Sequence, residues 1–489
     1  MPVVEFNKES KDTDENVSEL AFQDKYEVKF DGEDDKEDAK RLSMAHKWFI
    51  VIMISIGSLC VTCLSSIWSL ASENIMDHFQ ISHEVSVLGI SLFIWALGTG
   101  GIILAPISEY YGRKITYTVG LFLTLVFNFL PEFSENIGGV LFGRFMSGFF
   151  ASSFMAVASG TFADIFDKNQ LASALALYTA SPFLGPGIGP ILAGFINENP
   201  KNFRWTFHCM TIWLAAVLVL VIFTVPETYE PVLLKMKAKR LRKETGDNNY
   251  YCPLEKKNQT LMQSIKLNSS RPFGLLFKDK MTIILCFYTG FELAIVYLFF
   301  VAFPYIFETV YEFKLYQVGL AYLGLIVGLL IGSVVSPIVS TRSMNRLAEK
   351  NGGRIIPEFR FFSVKVGIFI TPIGLFILGW TSYSHVHWIG PIIGSAIFGF
   401  GTVFVFNGIF GYTVDAYRLY AASAMGCNSF VRSIMSGVFP LFGVQMFSGM
   451  GIHWACTFLA LFSCILIPVA FLFSKYGESL RKSSPYAWA

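Results

Sequence analysis

The sequence predicts an all-α membrane protein, with twelve transmembrane helices arranged as two pseudo-symmetric halves of six. Three observations carry this reading. The 489 residues are 53% hydrophobic and only 15% charged, against about 25% charged in ordinary soluble chains. They include 49 Phe, and the mean hydropathy is +0.51. The apolar residues gather into twelve runs, each near the ~20 residues a spanning helix needs, and the polar stretch 227–279 divides six from six. Such a chain is neither a string of soluble domains nor a disulfide-stapled secreted fold.

The elements follow in order. Residues 1–46 hold 14 Asp/Glu against 7 Lys/Arg and lack sustained apolar periodicity, which predicts a disordered, solvated acidic tail. The first apolar run starts near Trp48 behind this polar stretch, so no secretory leader is expected. The first half, 47–226, carries spans near 48–71, 86–107, 115–133, 138–163, 171–196 and 205–226. The linker 227–279 is basic, with Lys235, Lys237, Lys239, Arg240, Arg242 and Lys243 close together. The second half, 280–475, carries spans near 280–305, 316–340, 360–380, 388–412, 420–447 and 453–474, and 476–489 form a short tail.

Positive charge orients the bundle. With the N-terminus inside, the external loops hold only Lys201, Arg204 and Lys314. Both termini are therefore expected in the cytoplasm, where the basic linker touches anionic lipid or simply fixes topology. The sequons at Asn16, Asn258 and Asn268 then fall on the cytoplasmic side and are expected to be unused. The halves echo each other: Ala163-Asp164-Ile165-Phe166 with Ala172-Ser173-Ala174 after the fourth span, Val414-Asp415-Ala416-Tyr417 with Ala422-Ser423-Ala424 after the tenth. Parallel repeats in transporters give such echoes.

Four groups of residues carry candidate chemistry. Small residues at helical spacing come first: Gly185, Gly189 and Ala193 in the fifth span, followed by Gly194, and Gly324, Gly328 and Gly332 in the eighth. Such faces let backbones approach closely, either as ordinary packing or as a seam the halves open and close. Pro186 and Pro190 should bend or soften the fifth span. The loop between spans two and three comes next, with Glu109, Gly112, Arg113 and Lys114. Asp164 is placed to pair with Arg113 as a rim latch, and Asp415 is its counterpart in the second half.

Charges deep inside spans form the third group: Arg144, Glu292 and Arg432. A charge at mid-membrane costs about 2.5–3.5 kcal/mol on insertion scales, so each is a functional candidate. Glu292 stands ~18 Å into span seven at helical rise. It reads as a proton or cation site, or as the structural partner of Arg432. Aromatic residues are the fourth group: Tyr288, Tyr297 and Phe300 around Glu292, and Phe400, Phe404 and Asn407 on one face of span ten. A cavity with few polar groups on such walls suits amphipathic or cationic organic molecules.

These residues resemble the major facilitator superfamily, and more closely the fungal twelve-span drug:proton antiporters, a group that includes polyamine exporters. The resemblance covers about 47–485. It rests on Ala105-Pro-Ile-Ser-Glu109-Tyr-Tyr-Gly112-Arg113-Lys114, Arg144-Phe-Met-Ser-Gly148, and Gly185 through Gly194 as the antiporter motif. Pro226-Glu-Thr-Tyr229, Arg271-Pro-Phe273, Phe303-Pro304 and the stretch Asp415 to Ser433 add to it. It implies two six-helix halves rocking about a midplane cavity, with spans five and eight packed between halves. It also implies proton coupling at Arg144 and a cytoplasmic latch at Glu109, Arg113 and Asp164. Departures are Ala105, Glu109 and Tyr110 in the loop motif, and Ala193 for a glycine in the antiporter motif. Glu292 belongs to no motif of the group, and loop 8–9 has no recognisable copy of the loop 2–3 motif.

The expected function is proton-coupled export of drugs, other amphipathic or cationic organic compounds, or polyamines across a plasma membrane, by a monomer with protons, small organic substrates and lipids as partners. An uptake symporter and a non-transporting sensor are the alternatives. No nucleotide-binding glycine loop, metal cluster or Ser/His/Asp constellation is visible, so no enzyme, cofactor, metal, nucleic-acid partner or ATP-driven pump is expected.

Overall fold

The structure is a computed structural model that describes residues 26–31, 35, 37–198, 203–256 and 261–487. Asn16, Asn258, Lys201 and residues 1–25 of the acidic head lie outside the described residues.

Among the described residues, eleven helical runs are long and apolar enough to cross a membrane, and one of them holds two crossings, which makes twelve spans. In the first half they are α1 Met44–Ser66, α2 His83–Tyr111, α3 Arg113–Phe133, α4 Ile137–Ile165, α5 Lys168–Asn197 and α6 Arg204–Thr224. In the second half they are α7 Lys280–Tyr311, α8 Leu315–Lys350, α9 Phe361–Trp380, α10 Ile389–Tyr417, α11 Ala421–Val438 and α12 Ile452–Ile465. The helical run Ile389–Met450 is 62 residues long. At helical rise that is ~93 Å, about three hydrocarbon thicknesses, so it must hold two crossings. The chain reverses at Arg418, whose φ of 36° and ψ of −90° end α10. Short helices extend three of the spans: Ser72–Phe79 after α1, Gly443–Met450 after α11 and Ile467–Ser483 after α12. The face that carries the linker and both ends of the described chain is called the terminal face, and its opposite the far face.

Helix α5 continues unbroken through Pro182, Pro186 and Pro190. Pro182 cannot donate to the Tyr178 carbonyl one turn earlier. The Ser181 hydroxyl donates to that carbonyl instead, at 2.8 Å.

Of the two readings of the glycine ladders, the contacts are those of packing within a half rather than of a seam between halves. A Cβ on Gly185 would lie 2.0 Å from Thr62 Oγ1, and one on Gly189 would lie 2.1 Å from Ser66 Oγ, so this face meets α1 of its own half. Gly324, Gly328 and Gly332 face the Ile392, Ala396 and Phe400 carbonyls of α10. Both ladders therefore hold one half together. The α5–α8 seam between halves uses the next face round: Gly187 against Ile326, Gly319 against Pro190 and Ile191, and Gly194 against Leu315 and Tyr316. Two residues along a helix is ~200° of rotation, which separates Gly187 from the Gly185 face.

The contacts joining spans of the two halves run from the far face to the midplane. Besides the α5–α8 seam, Gln445 donates to Glu84 at 3.0 Å, Trp95 Nε1 donates to the Ile434 carbonyl at 3.1 Å, and Gly98 abuts Ser433. Phe183 packs on Phe406 with centroids 5.2 Å apart, and Tyr297 bonds to Ser65 at 3.1 Å.

The described part of the acidic head departs from the solvated tail expected of it. Residues 26–31 fold against the linker, where Val28 N–H donates to the Tyr251 carbonyl and Tyr251 N–H donates to the Tyr26 carbonyl. Val28, Leu234, Ala238 and Cys252 form a small core apart from the bundle. Lys237 of the linker helix Glu230–Thr245 reaches Asp31 at 2.6 Å and Asp35 at 2.7 Å, and Arg240 pairs with Glu37. Apolar Val28 and Phe30 among the acids supply the burial, and opposite charge on the linker supplies the register.

Candidate functional site

On the terminal face, the loop between α2 and α3 builds a buried cluster. Gly112 takes φ 105°, which a side chain rarely adopts. A Cβ there would lie 2.2 Å from Glu227 Oε2. That close approach lets Glu227 accept from the backbone N–H of Arg113 at 2.8 Å and of Lys114 at 3.1 Å. A carboxylate thus caps the positive N-terminus of α3. Arg113 pairs with Asp164 at 3.0 Å, donates to Ser108 Oγ at 2.7 Å and lies 4.6 Å from the Tyr229 ring centroid. Glu109 is exposed on this rim. The Arg113–Asp164 pairing meets expectation, but it closes within one half. Glu227 went unnoticed as a site residue, although it stands in the Pro226-Glu-Thr-Tyr229 motif.

The second half has its own version. Arg360, just before α9, pairs with Asp415 at the end of α10 at 2.9 Å. Arg113 and Asp164 are 51 residues apart, and Arg360 and Asp415 are 55 apart. Loop 8–9 shows no motif in sequence, yet the same ion pair forms in space. A further buried pair, Arg481 with Glu358 at 2.8 Å, ties the chain after α12 to the start of α9. In the first half Glu227, after α6, reaches back to α3 with the opposite sign of charge. Asp279 is another residue that sequence reasoning missed. It caps α7 through Met281 N–H and accepts from Thr282, Tyr417 and Ser484, gathering α7, α10 and the C-terminal tail.

Deep in the first half, Arg144 is fully buried and has no acidic partner among the described residues. Its guanidinium donates to the carbonyls of Leu64 at 2.8 Å, Ser65 at 3.2 Å and Gly89 at 3.0 Å. Leu64 and Ser65 are in the last turn of α1, whose carbonyls have no helical donor and carry the negative end of the helix dipole. The rings of Phe93 and Trp68 lie 4.5 and 5.4 Å from the guanidinium. Ser65 also bonds, through its hydroxyl, to Tyr297 of α7. Arg144 therefore sits one residue from a contact between halves.

Glu292 is fully buried too, but it does not meet Arg432. It accepts from Thr371 Oγ1 of α9 at 3.3 Å and Thr402 Oγ1 of α10 at 3.2 Å. The geometry explains why. Gly290 is the residue of α7 that faces Arg432 of α11, and two residues on is ~200° round the helix. The expected Glu292–Arg432 pair is thus absent. Arg432 instead lies over Phe406 and Phe410, at 5.6 and 5.2 Å.

The aromatic candidates divide. Tyr297 lies at the contact between halves, whereas Phe300 packs within its own half, edge-on to Tyr297 and tilted on Tyr322. Tyr288 is buried near Glu292, its hydroxyl without a partner among the described residues. Phe404 is buried, Phe400 packs on it, and Asn407 donates to Ser336 of α8 at 2.9 Å. The residue of α10 that meets the other half is Phe406, which is not on the face of Phe400, Phe404 and Asn407. Spacing alone does not say which apolar face of a buried helix meets the partner half.

The Major Facilitator Superfamily profile matches residues 53–440. The "Probable drug/proton antiporter YHK8" of Saccharomyces cerevisiae is 48% identical over 487 residues, covering 99% of this chain and 93% of its own length. The "Major facilitator superfamily multidrug transporter FLU1" of Candida albicans is 34% identical, covering 96% of this chain and 77% of its own length. Among solved structures, the proton:xylose symporter XylE with bound 6-bromo-6-deoxy-D-glucose superposes with a TM-score of 0.61 at 12% identity, over 89% of this chain and 96% of that one. The human organic anion transporter MFSD10 gives a TM-score of 0.62 at 13% identity, over 87% and 99%. At these identities the two structures speak for the fold alone.

Proposed function

The chain belongs to the major facilitator superfamily, and from that premise we propose that it is a proton-coupled antiporter exporting amphipathic, drug-like organic compounds by alternating access. The Saccharomyces cerevisiae relative, named a probable drug/proton antiporter, supports drug transport in exchange for protons, and the Candida albicans relative, named a multidrug transporter, supports a drug-like substrate. The terminal face is cytoplasmic, as the Lys and Arg distribution argues, and the membrane is the plasma membrane. With the halves joined from the far face to the midplane, the conformation is inward-facing. The two halves, 47–226 and 280–475, move as units about the seam, and the linker restrains them.

The observation that carries the coupling is Glu292, a carboxyl group buried among α7, α9 and α10 with hydroxyl donors and no cation partner among the described residues. A carboxylate so placed, without a counter-ion, is costly, so proton loading and movement of the second half are linked. Arg144 is the second coupling residue, because its grip on the end of α1 adjoins the Ser65–Tyr297 contact between halves. The Arg113–Asp164 and Arg360–Asp415 pairs act within each half, fixing the rims that meet when the cytoplasmic side closes.

The test is efflux of a fluorescent drug from proteoliposomes holding the full-length protein, with an imposed pH gradient. Efflux should rise with the gradient and collapse on adding a protonophore. Drug flux indifferent to the gradient would sink the proton-coupled reading.

A further inference from the structure

Arg432 is a deep cation with aromatic neighbours and no anionic partner among the described residues. Its Nε is buried without a hydrogen-bond partner among the described residues. The ionisable side chains within its electrostatic reach are Tyr297 and Cys286, neither of a type that carries negative charge near neutrality. The other two deep charges do not complete it. Arg144 is satisfied by three carbonyls, and Glu292 is turned toward Thr371 and Thr402.

The position lies between the halves. Phe406, beneath the guanidinium, packs on Phe183 of α5. Ser433, the next residue, abuts Gly98 of α2, and Tyr297 bonds to Ser65 of α1. Arg432 thus presents a positive fork on two aromatic rings beside the contacts between the halves.

We propose that Arg432 anchors the anionic group of the transported molecule, so that the substrate class is amphipathic aromatic organic acids. The carboxylate sits on the guanidinium and the aromatic body lies against Phe406 and Phe410. This deepens the proposed export function and rests on it. A guanidinium presents parallel donors that match a carboxylate's two oxygens, and a half-buried cation with no anionic partner among the described residues gains from an incoming anion. A polyamine or other cationic drug would meet only like charge at Arg432 and Arg144. An inside-negative membrane potential also favours an anion leaving the cell, and opposes a departing cation.

The experiment uses the full chain in proteoliposomes with a pH gradient and three probes of similar shape: phenylbutyrate, phenylbutyramide and phenylbutylamine. Saturable binding to the detergent-solubilised protein is measured beside transport. Phenylbutyrate should bind and be carried in preference to the amide and the amine. Arg432→Gln should lower its transport about tenfold or more, as loss of a charge-assisted hydrogen bond predicts. Arg432→Lys should retain an intermediate rate, and Arg432→Glu should shift preference to the amine. Wild-type selectivity needs no variant to fold, so the proposal stays exposed even where a substitution destabilises.

Preference of the wild type for the amine overturns the proposal, as does an acid that is neither bound nor carried. Undiminished phenylbutyrate transport by Arg432→Gln overturns it as well, and so does chloride or phosphate competing as strongly as the organic acid. Gradient-driven export of the amine alone would leave proton-coupled export standing and remove the anion assignment. Saturable, Arg432-dependent acid binding without gradient-driven flux would do the reverse.

Discussion

Glu292→Gln is the sharpest perturbation available, because it removes the ability to ionise and keeps the shape. The carboxyl group accepts from Thr371 at 3.3 Å and Thr402 at 3.2 Å, and no cation approaches it among the described residues. The Gln carbonyl oxygen can accept one of these bonds, a neutral bond contributing about 1 kcal/mol. The amide costs about as much if its NH2 finds no acceptor, so the net stability change should stay within about 1–2 kcal/mol. Thermal unfolding in detergent should move by no more than about 4 °C. Transport should respond differently. Gradient-driven drug efflux should fall to the level seen without a gradient, while exchange of drug across equal pH continues. A variant that keeps full gradient-driven efflux would refute the coupling role. A variant that loses more than about 3 kcal/mol would refute the premise, because losses of that size follow when a buried charge loses its partner.

Arg144→Leu leaves the Leu64, Ser65 and Gly89 carbonyls without their donor and should destabilise by several kcal/mol, at about 1–3 per buried unsatisfied group. Arg144→Lys should fold better and still show weakened coupling, read as the ratio of driven to exchange flux. Gly328→Ala puts a methyl group 1.9 Å from the Ala396 carbonyl oxygen, so it should lower expression or melting temperature, whereas Gly246→Ala, with nothing within 4 Å, should cost far less despite its positive φ. Lys237 holds the Asp35 carboxyl below the usual carboxylate range. A depressed carboxyl stabilises above its unfolded pKa, so amide exchange should find docking of 26–31 on the linker constant from about pH 5 to 8 and weakening only as pH falls below about 4. Burial raises the Cys252 thiol, and its maleimide reactivity at neutral pH should increase when Lys237→Ala releases the segment.

The sequence carried the span count, the two halves and the Arg113–Asp164 pair because each follows from local signals. Hydropathy finds a helix wherever it lies, and an arginine and an aspartate at two ends of one rim have few other partners. What stayed hidden was rotation of helices about their own axes. Gly185 and Gly187 are equally small, and only packing shows that one meets α1 and the other α8. Glu292 and Gly290 differ by the same ~200°, and that turn separates a carboxyl from the arginine at its own depth. The Arg360–Asp415 pair escaped for another reason. The repeat is kept in position and charge, not in the motif's letters, so only distance exposes it. Docking of the acidic head was masked by composition, since Val28 and Phe30 are too few to register as a periodic pattern.

The placement of bonds bears on how the molecule moves. Within each half the spans are locked by close backbone contacts at Gly185, Gly189, Gly324 and Gly328, and by the ion pairs of the rims. Across the seam the directional bonds are sparser: Tyr297 with Ser65, Trp95 with the Ile434 carbonyl, Gln445 with Glu84, and Tyr316 N–H with Glu198. At about 1 kcal/mol each, breaking all of them costs roughly 4 kcal/mol. One charge crossing a potential of 100 mV supplies about 2.3 kcal/mol, and a tenfold proton gradient adds about 1.4. The two are of one order, so the protonmotive force is matched to the seam and too weak to disturb the halves. Opening should therefore separate α5 from α8 and α2 from α11 while α8 stays on α10. Cross-linking a cysteine pair at Gly187 and Ile326 should arrest transport, and one at Ser336 and Asn407, whose side chains already meet between α8 and α10, should leave the cycle running.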